Sequence, residues 1–128
     1  MVQQVARIFG VVFLLVAVLG FLASGTSMEA DPAHAARILG LFPTNLLHNI
    51  VHLLFGVWGL AASRTAAAAT MYAKGAGAIY VLLAILGFII PSTFGLIPIG
   101  GHDIWLHAVL GLVLVAVGFQ ATKGAMAA

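Results

Sequence analysis

Gly40-Leu41-Phe42-Pro43-Thr44-Asn45-Leu46-Leu47-His48-Asn49-Ile50-Val51-His52-Leu53-Leu54-Phe55-Gly56 is the stretch that decides the fold. From Pro43 it reaches His52 at +9 and Gly56 at +13, and Gly95-Leu96-Ile97-Pro98 is followed by His107 and Gly111 at the same spacings. Both histidines lie inside apolar segments long enough to cross a bilayer, where ionisable side chains are costly and commonly functional.

Composition agrees with a membrane setting. Hydrophobic residues make up 63% of the 128-residue chain and charged residues 6%, with a mean hydropathy of +1.20. A soluble domain would carry roughly a quarter charged residues. There is no cysteine, which excludes disulfides, thiolate metal sites and iron–sulfur clusters. The five Lys and Arg are scattered, so the basic pI near 9.5 is no signal for nucleic acid. Only three acids are present, which disfavours carboxylate-based hydrolases and di-iron carboxylate oxidases. Ser-His-Asp sets and phosphate loops are absent.

Outward from the quoted stretch, four apolar segments emerge at about Val5–Ala23, Thr44–Ala62, Gly75–Ile90 and Asp103–Gln120. Each approaches the ~20 residues a helix needs to span the hydrocarbon core. Pro91 ends the third segment, while Pro43 and Pro98 stand ahead of the second and fourth. The stretch Ala35–Phe42 is read as a short helix lying on the membrane surface. The first segment, with Arg7 before it and Ala23-Ser24-Gly25 after it, has the outline of a signal peptide. It is read as a retained helix because it has a counterpart later in the chain.

That counterpart is part of an internal duplication. At an offset of 67, Gly10 matches Gly77, Phe13 matches Tyr80, Ala17 matches Ala84, and Leu19-Gly20-Phe21 matches Leu86-Gly87-Phe88. The second and fourth segments match at an offset of 55. Each unit holds two spans, so both copies enter the membrane from the same side as a parallel repeat. The expectation is a single all-α membrane domain of four transmembrane helices in two parallel-repeat hairpins, unit one at 1–62 and unit two at 75–120. Arg7, Arg64, Lys74 and Lys123 fall on one side, which the positive-inside rule makes cytoplasmic along with both termini. All five histidines then fall in the other half.

At 100° per residue, Asn45, His48, Asn49, His52, Gly56 and Ser63 share one stripe of the second helix. A polar stripe turns to the bundle interior or a wet cavity. Asp103, His107, Gly111 and Gly118 make the equivalent face of the fourth helix. The candidate metal ligands are therefore His48, His52, Asp103 and His107, with His/His and Asp/His pairs at i, i+4. Zn, Cu and Fe ions all suit such a set. A second use of the same residues is axial ligation of a haem or chlorin by His52 and His107. A third is purely structural, with the side chains hydrogen-bonding across the bundle. Proton handling is a further use for His52 and His107. His34 and His102 are read as loop and interfacial residues, Trp105 as part of the interfacial aromatic belt, and Gly20 and Gly87 as packing positions.

The run Leu41 to His52, with Gly56 and Gly59-Leu60 beyond it, resembles the signature of a bacterial membrane family catalogued as domain of unknown function 4383. Gly95-Leu96-Ile97-Pro98 and His102-Asp103-Ile104-Trp105-Leu106-His107 resemble it as well. The resemblance covers nearly the whole chain and implies four transmembrane helices in a bacterial cytoplasmic membrane. It implies no activity, substrate or site residue. The functional expectations are a protein binding a metal ion or haem-like cofactor in the extracytoplasmic half, or an accessory subunit of a larger electron-transfer or pigment-containing membrane complex. A membrane oxidoreductase or proton-handling enzyme is the third reading. The expected surroundings are the lipid bilayer and either a larger complex or a homo-oligomer.

Overall fold

The structure is a computed structural model that describes residues 1–128. Four helices dominate it: α1 Val2–Ser24, α2 Leu46–Ala62, α3 Ala66–Ile89 and α4 His102–Ala127. Between α1 and α2 lies a small antiparallel hairpin, β1 Ala36–Ile38 and β2 Phe42–Thr44, in the register Ala36↔Thr44, Arg37↔Pro43 and Ile38↔Phe42. The helices run up and down with α1 tight against α2 and α3 tight against α4; α1 and α4 meet only sparsely.

Length and composition make α1, α3 and α4 able to cross a membrane. At 17 residues α2 is shorter; at 1.5 Å per residue it spans about 26 Å, under the roughly 30 Å of a hydrocarbon core. The polarity of the bundle is that of a membrane protein. Small residues fill the inside of α1 and α3, with Ala6, Gly10, Ala17 and Gly20 buried on the first and Ala73, Ala76, Gly77, Ala84 and Gly87 on the third. Large ones such as Leu15, Leu22, Leu54, Leu82, Phe88 and Leu112 stand outside. Without a hydrophobic drive between helices in lipid, close backbone approach over small residues supplies the packing.

Glycine makes that approach possible. A Cβ on Gly10 would lie 2.7 Å from the Leu60 nitrogen and 3.0 Å from the Gly56 carbonyl oxygen. In the other pair, a Cβ on Gly77 or Gly111 would lie 2.9 Å from the carbonyl oxygen of the opposite glycine.

The loop after α1 corrects the sequence expectation. Ala35–Phe42 forms the β hairpin and its turn, not a surface helix. Leu39 and Gly40 both adopt positive φ, 53° and 70°, and the Leu41 N–H donates to the Ile38 carbonyl at 3.0 Å. Two consecutive left-handed residues match the twist of paired strands and cannot continue a right-handed helix. Leu39, a poor residue for that conformation, hid the turn. Two helix boundaries also move. The third helix starts at Ala66, nine residues before Gly75, because Thr65 caps it by accepting from the Ala68 N–H at 3.2 Å and the alanines that follow favour helix. The fourth runs on to Ala127.

A polar cluster ties the hairpin to both α1 and α2. Thr44 Oγ1 donates to Asn49 Oδ1 at 2.6 Å, Asn49 Nδ2 donates to Ser24 Oγ at 2.8 Å, and Ser24 Oγ donates to the Gly20 carbonyl at 3.0 Å. Asn49→Ala removes two of these bonds and strands Thr44. The expected cost is about 1–3 kcal/mol, given roughly 0.6 and at most 1.7 kcal/mol per interhelical bond in membranes plus the unpaired hydroxyl. Reversible unfolding in mixed micelles measures it.

Candidate functional site

Asn45 sets the start of α2. Its backbone is extended, and its side-chain Oδ1 accepts from the His48 N–H at 2.9 Å, satisfying one of the free donors of the first turn. Its amide nitrogen donates to the Leu96 carbonyl at 2.8 Å, joining α2 to the loop that precedes α4. With α2 so fixed, His48 and His52 project one turn apart from a single face. Asp103 and His107 do the same from α4.

All four side chains are buried, with exposures of 3% for His48, 6% for His52, 3% for Asp103 and 2% for His107. His48, His52 and His107 each offer a ring nitrogen, and these atoms lie within 4.8 Å of one another. The His48 ring centroid is 4.5 Å from that of His52 and 5.7 Å from that of His107. The Asp103 carboxylate flanks the three: Oδ1 is 3.4 Å from His107 Nδ1 and Oδ2 is 4.0 Å from His48 Nε2. The structure thus gathers three imidazoles, with the carboxylate beside two of them.

Hydrogen bonding separates the polar stripe into two kinds of residue. Asn45, Asn49 and Ser63 have partners. Both ring nitrogens of His48, Nδ1 of His52, Nε2 of His107 and Oδ2 of Asp103 have none, and neither has the buried Tyr80 hydroxyl. Buried polar atoms are ordinarily paired, and lipid offers them nothing. Such a concentration of unpaired lone pairs in one place fits an ion. His107 is also oriented for one. Its Nδ1 lies 2.8 Å from the Asp103 backbone carbonyl, which can only accept, so the proton sits on Nδ1 and Nε2 is left with its lone pair. Metal-binding histidines are commonly held this way.

Two aromatic rings complete the walls. Phe13 stacks on His52 at 5.9 Å and 13°, and Tyr80 stacks on His107 at 4.6 Å and 14°. Phe13 and Tyr80 themselves meet at 5.1 Å. Neither carries a site signal in the sequence, where both read as ordinary aromatic residues of apolar helices. The cavity in front of the histidines has a volume of about 230 Å³ and is roofed by Ile38, Leu39, Phe42 and Pro43. That is smaller than the ~300 Å³ at which pockets for drug-sized molecules begin. His48 lies beside both His52 and His107 at its inner wall.

The two remaining histidines lie elsewhere. His102 is exposed and accepts from Trp105 Nε1 at 3.1 Å. His34 is exposed and contacts Asp31 at 2.8 Å. The Ala33 N–H, and after it His34, hold the Asp31 carboxyl below the usual carboxylate range.

Small residues inside, apolar residues outside and a buried histidine cluster define an α-helical membrane protein with a candidate ion site. The chain belongs to the family described as domain of unknown function (DUF4383), whose model matches residues 3–120. No curated protein and no solved structure matches it.

Proposed function

We propose that this protein binds one divalent transition-metal ion through His48, His52 and His107, with Asp103 holding the imidazoles in place. The observation that carries the reading is the convergence of three buried imidazoles, each with a ring nitrogen that lacks a partner. Tetrahedral bonds of about 2.0–2.1 Å set nitrogens roughly 3.3 Å apart, so binding draws the rings inward by roughly 1 Å. Three nitrogens suit Zn²⁺, Cu²⁺ or Fe²⁺ and leave one position open. The Asp103 carboxylate, beside His107 and His48, offsets the charge of the ion and raises the basicity of its ligands.

In this reading all four helices lie in a bacterial cytoplasmic membrane, the termini are cytoplasmic, and the site occupies the extracytoplasmic half. The apolar outer face of α2, with Leu53, Leu54, Val57 and Trp58 exposed, supports its lying in lipid despite its length. The charge asymmetry supports the orientation. The chain is also read as two copies of one hairpin. Supporting this, Gly10 against Gly56 is matched by Gly77 against Gly111, and Phe13 on His52 by Tyr80 on His107.

Cobalt(II) titrated into chelator-stripped protein in detergent is expected to give a tetrahedral visible band that saturates at one ion per chain. No band, together with no metal retained on elemental analysis, refutes the site. Asp103→Asn is expected to weaken binding by roughly 10–100-fold while one ion still binds at saturation. Competition with a chromophoric chelator measures it.

A further inference from the structure

The two Gly-Leu-x-Pro segments share a backbone feature at the loop tips that precede α2 and α4. Ahead of the first, Leu39 and Gly40 have φ of 53° and 70°; ahead of the second, Phe94 and Gly95 have φ of 61° and 80°. Left-handed backbone is uncommon outside glycine and least expected of a bulky residue. Each turn nonetheless puts a large apolar side chain there and leaves it outside, with Leu39 76% and Phe94 72% exposed. Leu41 and Leu96, two residues further along each turn, are exposed as well. Both turns are firmly held. The Ile38 carbonyl accepts from the Leu41 N–H at 3.0 Å. The buried Thr93 Oγ1 accepts from the Ile97 N–H at 2.9 Å and donates to the Ile97 carbonyl.

In water each tip would combine apolar exposure with a strained backbone. The length of α2 supplies a different surrounding. Even untilted, α2 covers about 26 Å of a hydrocarbon core roughly 30 Å thick. With Ala62 at one boundary, Leu46 stops about 4 Å short of the other. β2 ends at Thr44, two residues earlier, so the hairpin begins at the edge of the bilayer. Asn45 Nδ2 donates to the Leu96 carbonyl at 2.8 Å, which sets the second turn at the same level. Leu39 also lines one cavity with Val16 and Leu19, eight and five residues before the end of α1 at Ser24. The first tip therefore lies beside the flank of α1 and not beyond its end. Exposed Leu19, Ile89 and Trp105 carry the apolar surface of the helices up to the turns. The exposed Glu29, Asp31 and His34 precede the hairpin on the polar segment after α1.

We infer that the two turns are a matched pair of membrane anchors, holding Leu39 and Phe94 at the boundary between headgroups and acyl chains of the leaflet at the histidine end. Irregular backbone is not tolerated facing lipid in the hydrocarbon interior, so the turns reach its edge and no deeper. The inference rests on the helices lying in a bilayer and not on the ion site.

Because the chain has no cysteine, single nitroxide labels can be attached at chosen positions. Leu39→Cys and Phe94→Cys are labelled in protein reconstituted into phosphatidylcholine nanodiscs. Power-saturation EPR then reads collisions with oxygen, which concentrates in lipid, and with chromium oxalate, which stays in water. Leu112→Cys, on the exposed face of α4, reports whether the bundle lies in the bilayer at all, and Asp31→Cys supplies the aqueous reference. The oxygen-to-chromium ratio at both turns is expected to exceed that at Asp31→Cys by at least about threefold, as for side chains at the acyl boundary. A smaller ratio at either turn, with the Leu112→Cys label in lipid, overturns the anchors and leaves the membrane reading standing. Exclusion of both reagents, the result of a second copy of the chain covering the turns, overturns them too. A Leu112→Cys label bathed in water refutes the membrane placement and the anchors with it. Should a tip variant misfold, Leu41→Cys and Leu96→Cys are read against the same threshold.

Discussion

His52→Ala is expected to leave a folded protein that no longer holds an ion, its affinity reduced by more than ~100-fold. Removing a group that merely orients a ligand costs 10–100-fold, so removing one of three ligands costs at least the upper end of that range. The same change has an instructive effect on stability. Without an ion, His52 contributes a buried nitrogen with no partner, and deleting it relieves a desolvation penalty that partly offsets the packing lost against Phe13. The chelator-stripped variant should therefore melt close to the stripped wild type. Adding zinc should raise the melting temperature of the wild type, because the ion binds the native state preferentially, and leave the variant where it was. His34→Ala and His102→Ala, remote from the cluster, should behave as wild type in both measurements. If His52→Ala retains wild-type zinc affinity, the three-imidazole site is wrong.

Gly111→Leu is expected to have the largest effect on the fold. The first added carbon would meet the Val81 nitrogen at 2.8 Å and the Gly77 carbonyl oxygen at 2.9 Å. Both are backbone atoms in a helix, so neither can swing aside, and α3 and α4 must separate along their tight contact. Overpacking typically costs about 1–3 kcal/mol, which is the range expected for Gly111→Ala. The branched side chain of leucine should exceed it and yield little monodisperse protein. His107 lies one turn from Gly111 and Tyr80 is next to Val81, so whatever Gly111→Ala protein folds should also bind cobalt more weakly. The contrast is Gly124→Ala, where an added carbon meets nothing within 4 Å. There the gain in helix propensity, up to about 1 kcal/mol, should dominate. Size-exclusion profiles and micellar unfolding curves distinguish the two outcomes.

Residues that act through local spacing could be read directly from the chain. His48 and His52, like Asp103 and His107, share a face because four residues make nearly one turn, and α-helical geometry guarantees it. That the three histidines come together is a tertiary fact, and the duplicated Gly-Leu-x-Pro motif gave the only warning of it. Phe13 and Tyr80 were harder. In an apolar helix an aromatic ring facing lipid and one facing an imidazole look the same, and only the packing of α1 and α3 tells them apart. The hairpin was hidden for a different reason. Strands of three residues are too short to show an alternating pattern, and Leu39 occupies a turn position where glycine or asparagine would have announced itself.

Asn45 gives the architecture a property that neither half has alone. One side of its amide caps the helix carrying His48, and the other grips the Leu96 carbonyl in the loop that leads to Asp103 and His107. The two helices that supply the imidazoles are thereby geared at their mouths. A displacement of the loop from Pro91 to Gly101 would thus pull, through one planar group, on the first turn of α2. The spacing of His48 and His107 is thereby tied to the placement of that loop.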